Sequence, residues 1–437
     1  KEGYADFVKP AAAKAMPETA TDKLQPYLEA FAAARLPGGE AARALRAEAI
    51  EALKALALPT RRDEAWKYTK LKLDGVLPGE AGEAEVTPDV LPSLPFPAHR
   101  LVFVNGRFRR ELSDDGLGES LAEALPRLSG ELGAGLDLNA LPLTALNTAF
   151  FEDGLLLRLD ETPDRPIHLV SIAAAGDGQP LIQPRHLIEV LSGETTLIES
   201  HLALGGGGRY AGNGVTEIAV GKDAKLTHVV LQDQSREALH LSTTTVRVAE
   251  GGAYNSYVLS EGAALSRNEI HLSLDGEGAS CRLDGAYLQN GEQHVDTTTV
   301  VTHAVPGTTS REVVKGALDG RSRGVFQGKI VVAPDGQQSD GRMMNKTLLL
   351  SEKAEIDTKP ELEIYADDVQ CAHGATAGEL DDVALFYLRS RGIPEAKARR
   401  MMIESFLADT WQEVEDEALR ALIAARIAAW LEREDAE

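Results

Sequence analysis

Residues 221–253, GKDAKLTHVVLQDQSREALHLSTTTVRVAEGGA, decide the architecture. A turn, Gly221-Lys222-Asp223-Ala224, leads into a strand-like run. A polar break follows, then a second run rich in Thr and Val, and then another turn, Gly251-Gly252-Ala253. The same unit recurs at Gly193-Glu194-Thr195-Thr196 and at Gly276-Glu277-Gly278-Ala279. The small residues stand at 196, 224, 253 and 279, so the steps are 28, 29 and 26 residues. Ser351-Glu352-Lys353-Ala354 looks like the same turn about three periods later. From about 165 to 370 short Val/Ile/Leu/Thr strands alternate with Gly, Asp and Asn turns, and helical periodicity is missing. Leucine-rich repeats need a fixed Leu/Asn ladder, and helical repeats need a 3.6-residue period. Neither is present. A parallel β-helix fits, because stacked coils bury an inward row of side chains and small residues suit stacked corners. A β-sandwich is the alternative.

The flanks read differently. Residues 41–57 place Leu45, Ala49, Leu53 and Leu56 on one helical stripe, and Pro59 blocks continuation. In Asp63-Glu64-Ala65-Trp66-Lys67-Tyr68-Thr69, Trp66 and Tyr68 are expected to anchor this helical part to the next. Pro78 to Pro97 is loop-rich. Residues 101–109 read as a hairpin about Asn105-Gly106. Residues 141–159 read as a helix, a turn at Asp153-Gly154 and a strand. Beyond 380, Ala384, Leu385 and Leu388 line one helix, and Arg391-Gly392-Ile393-Pro394 separates it from the next. A third helix spans 416–432. The expected organisation is mainly β: an N-terminal helical region and linker (1–100), a mixed connecting segment (101–160), a β-helix core (161–375) and a C-terminal helical domain (376–437).

Composition narrows the function. The 437 residues are 43% apolar and 26% charged, an ordinary globular balance. The net charge of −23 repels phosphate backbones, so nucleic acid is a poor partner. No run approaches the roughly 18 apolar residues of a membrane span. The start, Lys1-Glu2-Gly3-Tyr4-Ala5-Asp6, carries no apolar signal core, and a cytoplasmic protein is expected. Two cysteines, Cys281 and Cys371, are too few for a disulfide framework.

The stretch 359–381, KPELEIYADDVQCAHGATAGELD, could carry chemistry. Read as a strand, it sets Leu362, Ile364 and Ala366 inward and Glu361, Glu363, Tyr365 and Asp367 outward. A continued register adds Cys371 and His373 to the outward face. Residues i and i+2 lie roughly 6.5–7 Å apart on a strand, so both side chains could reach one metal or one partner patch. A thiolate and an imidazole suit Zn, Cu or Fe. Two donors leave a tetrahedral site incomplete, so a second chain must supply the rest. The bland reading is a structural pair.

Other signals are thinner. His240, His271, His294 and His303 have no fixed short spacing, and Cys281 reads as a small core residue. Gly205-Gly206-Gly207-Gly208 is a flexible turn with no Gly-Lys-Ser/Thr after it, so it is no phosphate loop. No catalytic constellation is visible. A β-helix carbohydrate-active enzyme would need carboxylate pairs along a groove, and none is evident.

The segment KPELEIYADDVQCAHGATAGELDDVALFYLRSRGIP closely resembles the C-terminal signature of the SufD branch of the SufB/SufD family, scaffolds of the SUF iron–sulfur cluster assembly system. Asp335-Gly336-Gln337, Asn345-Lys346-Thr347-Leu348-Leu349-Leu350, DEAWKYT at 63–69 and ALNTAFFEDG at 145–154 extend the resemblance over most of the chain. It implies a right-handed parallel β-helix between helical regions and a non-catalytic scaffold. It also implies pairing with SufB through the β-helix and docking of the ATPase SufC through the C-terminal helices. His373 matches the family histidine implicated in cluster assembly at the SufB interface, and Cys371 matches the neighbouring cysteine. Transient iron or a nascent cluster would be shared with SufB. Binding of a reduced flavin to the complex is left open, and no cofactor is expected tightly bound to the isolated chain. The helices at about 381–410, with Arg399, Met401, Met402 and Phe406, match the SufC-contacting region. SufB-like proteins carry a scaffold cysteine near the position of Asn345 and two glutamates beside their histidine, where this chain has Ala372 and Gly374. That departure argues for the SufD role. An exposed β-helix edge favours a homodimer when the chain is alone. A purely structural partner of SufB is the remaining alternative.

Overall fold

The computed structural model describes residues 18–78, 84–128, 130–174, 179–204 and 208–434. The start of the chain and most of the 205–208 glycine run lie outside the described residues. Seventeen strands build the core. Nine stack in one sheet: β1 (His99–Val104), β3 (Ile167–Ala174), β5 (Glu194–Leu204), β7 (Lys225–Asp233), β9 (Ala253–Ser260), β11 (Ser280–Gln289), β13 (Thr309–Leu318), β15 (Asp340–Leu349) and β17 (Gln370–Gly378). Eight stack in the facing sheet: β2 (Leu155–Leu159), β4 (Arg185–Val190), β6 (Ala211–Val220), β8 (Leu239–Val248), β10 (Leu265–Leu274), β12 (His294–His303), β14 (Arg323–Val332) and β16 (Glu355–Ile364). The chain alternates between the sheets, and every neighbour in each stack is parallel. This is a parallel β-solenoid of about seven turns.

The coil length follows from the register. Glu194, Lys225, Ala253, Ser280, Thr309, Asp340 and Gln370 stand in one row, so a coil takes 27 to 31 residues. The residues before that row include Gly193, Ala224, Gly252 and Ala279. Of the small residues expected to stack, Ala224 and Ala279 do, while Thr196 and Ala253 lie just past the corner. Ser351–Ala354 precedes Glu355, which pairs with Arg323, so it belongs to the opposite corner. Corners are small because coils approach there. A Cβ on Gly276 would lie 1.9 Å from the Glu250 backbone nitrogen. The hairpin after β1 forms as expected, with Asn105 and Gly106 both at positive φ (50° and 78°).

The interior is filled by inward rows of Leu, Val, Ile and a few aromatic residues, including Leu226, Leu283, Tyr287, Phe326 and Ile330. Both outer faces are partly covered. Helices α1 (Glu18–Ala33), α2 (Glu40–Leu56) and α3 (Pro142–Phe150) pack by the first coils. The 63–69 segment then straps the even-numbered sheet. Trp66 is buried under the Arg267 guanidinium, 4.1 Å from its ring, and Gln327 donates to the Ala65 carbonyl at 3.1 Å. Thr69 donates to Asp296. On the odd-numbered sheet lie α5 (Glu395–Leu407) and α6 (Glu417–Glu434), preceded by α4 (Asp382–Ser390). Leu419, Ile423, Ile427, Trp430 and Leu431 are buried there, each worth roughly 1.5–3 kcal/mol. Arg426 fixes α6 to Glu261 (2.6 Å) and Asp233 (2.8 Å), and Lys315 fixes the end of α5 through Asp409 (2.6 Å).

One inward row carries a carboxyl. Glu312 follows Leu283 and precedes Met343 in register. Among the described residues its hydrogen-bond partner is the Thr299 hydroxyl, which donates at 2.9 Å. Burial pushes the carboxyl up to about 8. A raised folded-state value means that its contribution to stability is full below the unfolded value of 4.5 and is lost as pH rises through about 8. The slope in that window is about 1.4 kcal/mol per pH unit for this one group. Glu312→Gln should therefore flatten the fall in Tm between pH 6 and 9 and leave Tm near pH 5 little changed, as differential scanning fluorimetry across that range would read.

Candidate functional site

Both stacks stop at the same end of the molecule. Among the described residues strand β16 pairs only with β14 and β17 only with β15, so two strand edges and the last layer of interior side chains have no further described coil over them. At the opposite end the edges are covered: Arg107–Phe108 pairs antiparallel with β1, and Glu119–Ser120 with β2.

Cys371 and His373 lie on β17, at this open end. Cys371 is in register with Gly341, and His373 with Met343. Gly341 and Met343 face the interior: a Cβ on Gly341 would meet Ile330 and His303, and the Met343 sulfur reaches across to Gly328 on β14. In-register residues of parallel strands share a face, so Cys371 and His373 project into the solenoid axis rather than away from it. This corrects the outward placement expected from a continuous strand. Alternation does hold within β16, where Leu362 packs inward and Glu363 reaches out to Lys329 at 2.8 Å. The corner then changes parity. Ala366 and Val369 both pack on the interior cluster, three residues apart, with Asp367 and Asp368 exposed between them. Inward positions are even before that corner and odd after it.

The donors are accessible only because the stack ends. Met343, one coil earlier in the same row as His373, is 2% exposed, while His373 is exposed. Cys371 is half-buried against the last core cluster. That burial pushes its thiol up, and the Asp340 carboxylate adds to the rise, against a backbone hydrogen bond at Gly341 that lowers it. Asp340 is itself held below the usual carboxylate range by Arg311, at 2.6 Å. Among the described residues no three His, Cys, Asp or Glu side chains stand together as a metal cage. The open end thus offers two donors and no complete site. Asn345, two residues beyond Met343, is fully buried and donates to the Val314 carbonyl at 3.1 Å.

The residues expected to dock a partner lie on α5 with different exposures. Met401 is 41% exposed, and Arg399 and Met402 are half-buried. Phe406 is half-buried against the solenoid, with the Lys315 ammonium 4.8 Å from its ring. It serves the internal packing of α5. The largest exposed apolar side chains stand on α4 instead: Val383 (77%), Phe386 (72%) and Tyr387 (56%). The signal for them was a helix apolar on two faces, of which only the Leu385 face is used. Three residues, Glu379–Asp381, join β17 to α4, and the Asp381 carboxylate caps α4 by accepting from the Val383 and Ala384 amides.

Comparison with known proteins agrees with this architecture. Residues 172–406 match the sequence model of the family described as SUF system FeS cluster assembly, SufBD core domain. The chain is 32% identical to the iron-sulfur cluster assembly protein SufD of Escherichia coli, over 86% of this chain and 90% of that one. It is 30% identical to an iron-sulfur cluster assembly SufBD family protein of Synechocystis, over 84% and 86%. It is 24% identical to the iron-sulfur cluster assembly protein SufD of Bacillus subtilis, over 67% and 68%. With its parallel solenoid, its helical flanks and these matches, the chain belongs to the SufBD family of the SUF iron–sulfur cluster assembly system.

Proposed function

We propose that this chain is a non-enzymatic scaffold that completes an iron–sulfur assembly site by pairing its open solenoid end with SufB. The observation that carries this reading is the coincidence, at one end, of two unpaired strand edges and two inward donors, His373 and Cys371. An edge strand of nine or ten residues presents outward N–H and C=O groups, save at Pro360, which has no N–H, and is a template for another strand. A partner coil laid on β16 and β17 would cover Ile364, now 40% exposed. It would also enclose the His373 imidazole in a water-poor layer, where it could hold iron or a nascent cluster as cargo. His373 is the primary donor. The Cys371 thiol is kept protonated by burial until a metal or a cationic neighbour favours the thiolate. In the isolated chain the same edges pair with a second copy. The exposed face of α4, extended by Met401, is the surface that docks the ATPase SufC.

The test is co-expression with SufB and SufC, anaerobic purification, and assay of iron and acid-labile sulfide. His373→Ala should lose most of both while the complex elutes intact, and Cys371→Ala should lose less. Equal loading of all three forms would leave this chain a purely structural partner.

Phe386→Asp addresses the helical surface separately. It should abolish co-purification of the ATPase while SufB remains bound, and retention of the ATPase would move the docking surface elsewhere.

A further inference from the structure

The open end differs from the rest of the stack in charge and in backbone chemistry. Residues 351–382, the last coil with its exit, hold ten Asp and Glu against two Lys, a net −8 out of the −23 of the whole chain. The stretch of equal length before it, 319–350, holds three Asp and Glu against five Lys and Arg. The carboxylates therefore gather in the coil that has no further described coil over it. Some are met from beneath: Asp357 pairs with Arg323, and Glu363 with Lys329 at 2.8 Å. Lys359 is shared between Glu64 (2.8 Å) and Glu361 (3.1 Å). Glu352, Glu355, Asp367, Asp368 and Glu379 are exposed. Asp367 and Asp368 stand at the corner between β16 and β17, beside both edges.

The backbone adds a second bias. The Glu355 and Tyr365 amides donate to the Ser322 and Val332 carbonyls, on the β14 side. Successive residues of a strand turn their backbone groups to opposite sides, so odd residues of β16 face β14 and even residues face the open side. Pro360 is even. Its missing N–H costs the ladder with β14 nothing and removes a donor from the middle of the open edge. On β17 the Gln370 amide donates back to Ser339, so Cys371, His373, Ala375 and Ala377 face outward, and each keeps its N–H. The two edges are thus unequal: β17 is whole, and β16 lacks a central donor.

We propose that the open end rejects a second copy of this chain and selects a partner coil of net positive charge. This rests on the pairing with SufB argued above and names the chemistry that SufB brings to it. A second copy sets one acidic coil against another, and wherever β16 meets its own copy each strand brings a Pro360 with a carbonyl and no donor. A basic coil meets the same end with attraction, which favours the right partner and speeds its encounter. The stretch 319–350, with its excess of cations, has the composition that this acidic layer already accepts from below. Self-pairing of the isolated chain is therefore the weaker mode, and it yields to the mixed pair when SufB is present.

The full-length chain would be studied by analytical ultracentrifugation alone, and by titration with SufB, at low and high sodium chloride. Self-association should tighten severalfold as salt rises, because screening removes the repulsion, and SufB pairing should weaken over the same range. Asp367→Lys/Asp368→Lys, at an exposed corner, should tighten self-association about tenfold at low salt, weaken SufB pairing by a similar factor and flatten both salt slopes. Pro360→Val should tighten self-association without changing its salt slope. An unchanged Tm would show that each variant folds. The inference is overturned if the wild type self-associates as tightly as it binds SufB, if added salt loosens the homodimer, or if the charge-reversed variant keeps wild-type affinity for SufB. Each of those results leaves the pairing with SufB standing. Absence of SufB binding at every salt concentration removes that pairing, and this inference with it.

Discussion

A parallel stack satisfies the backbone of each strand from both sides, and a strand at its end from one side only. The chain resolves this differently at its two ends. At the start, two short antiparallel segments lie across the first strands, and Phe108 packs against the interior cluster. At the finish, β16 and β17 run their full ten and nine residues with no strand beyond them among the described residues. The interior rows therefore continue to a surface. The donors of the open end owe their accessibility to position in the stack rather than to any local irregularity of β17.

Much of this was legible because coil stacking imposes a period on the sequence. Turn residues recur at nearly equal steps, the Asn105-Gly106 hairpin has a steric signature, and the caps of the terminal helices are local. The phase was harder. Thr196 and Ala253 are small residues beside the corner rather than in it, since a corner of a few residues tolerates shifts that the strands then absorb. Parity was harder still. A two-residue alternation survives only while the strand lasts, and the step from Ala366 to Val369 resets it. No pattern in residues 359–381 distinguishes a two-residue corner from continued strand, so a continuous strand puts Cys371 and His373 on the outer face, while their sharing of one face follows from the i, i+2 spacing alone.

An interior cluster of Glu199, His201, His228 and His240, lining a cavity of about 70 Å³, was invisible for a related reason. Glu199 and His201 are adjacent on one strand face, but His228 arrives from the next coil and His240 from the facing sheet. Spacings of 27 and 39 residues, from His201 to His228 and from His201 to His240, match no short motif. In a solenoid the residues that meet are separated by a coil length that varies, so a constellation becomes readable only once the register is known.

The same register separates the interior histidine–glutamate cluster from the open end. His228, Ser256, Leu283, Glu312, Met343 and His373 form one inward row along the odd-numbered sheet. Five strand spacings of about 4.8 Å place its ends about 24 Å apart. Leu283, Glu312 and Met343 between them are all buried, Leu283 and Met343 at 2% exposure each. Packing at this density leaves no open path along the row. The His201 side chain is 16% exposed at the wall of its cavity. What the interior cluster and the open end share is the coil itself, which sets His228 and His373 in one row and leaves the His373 end uncovered.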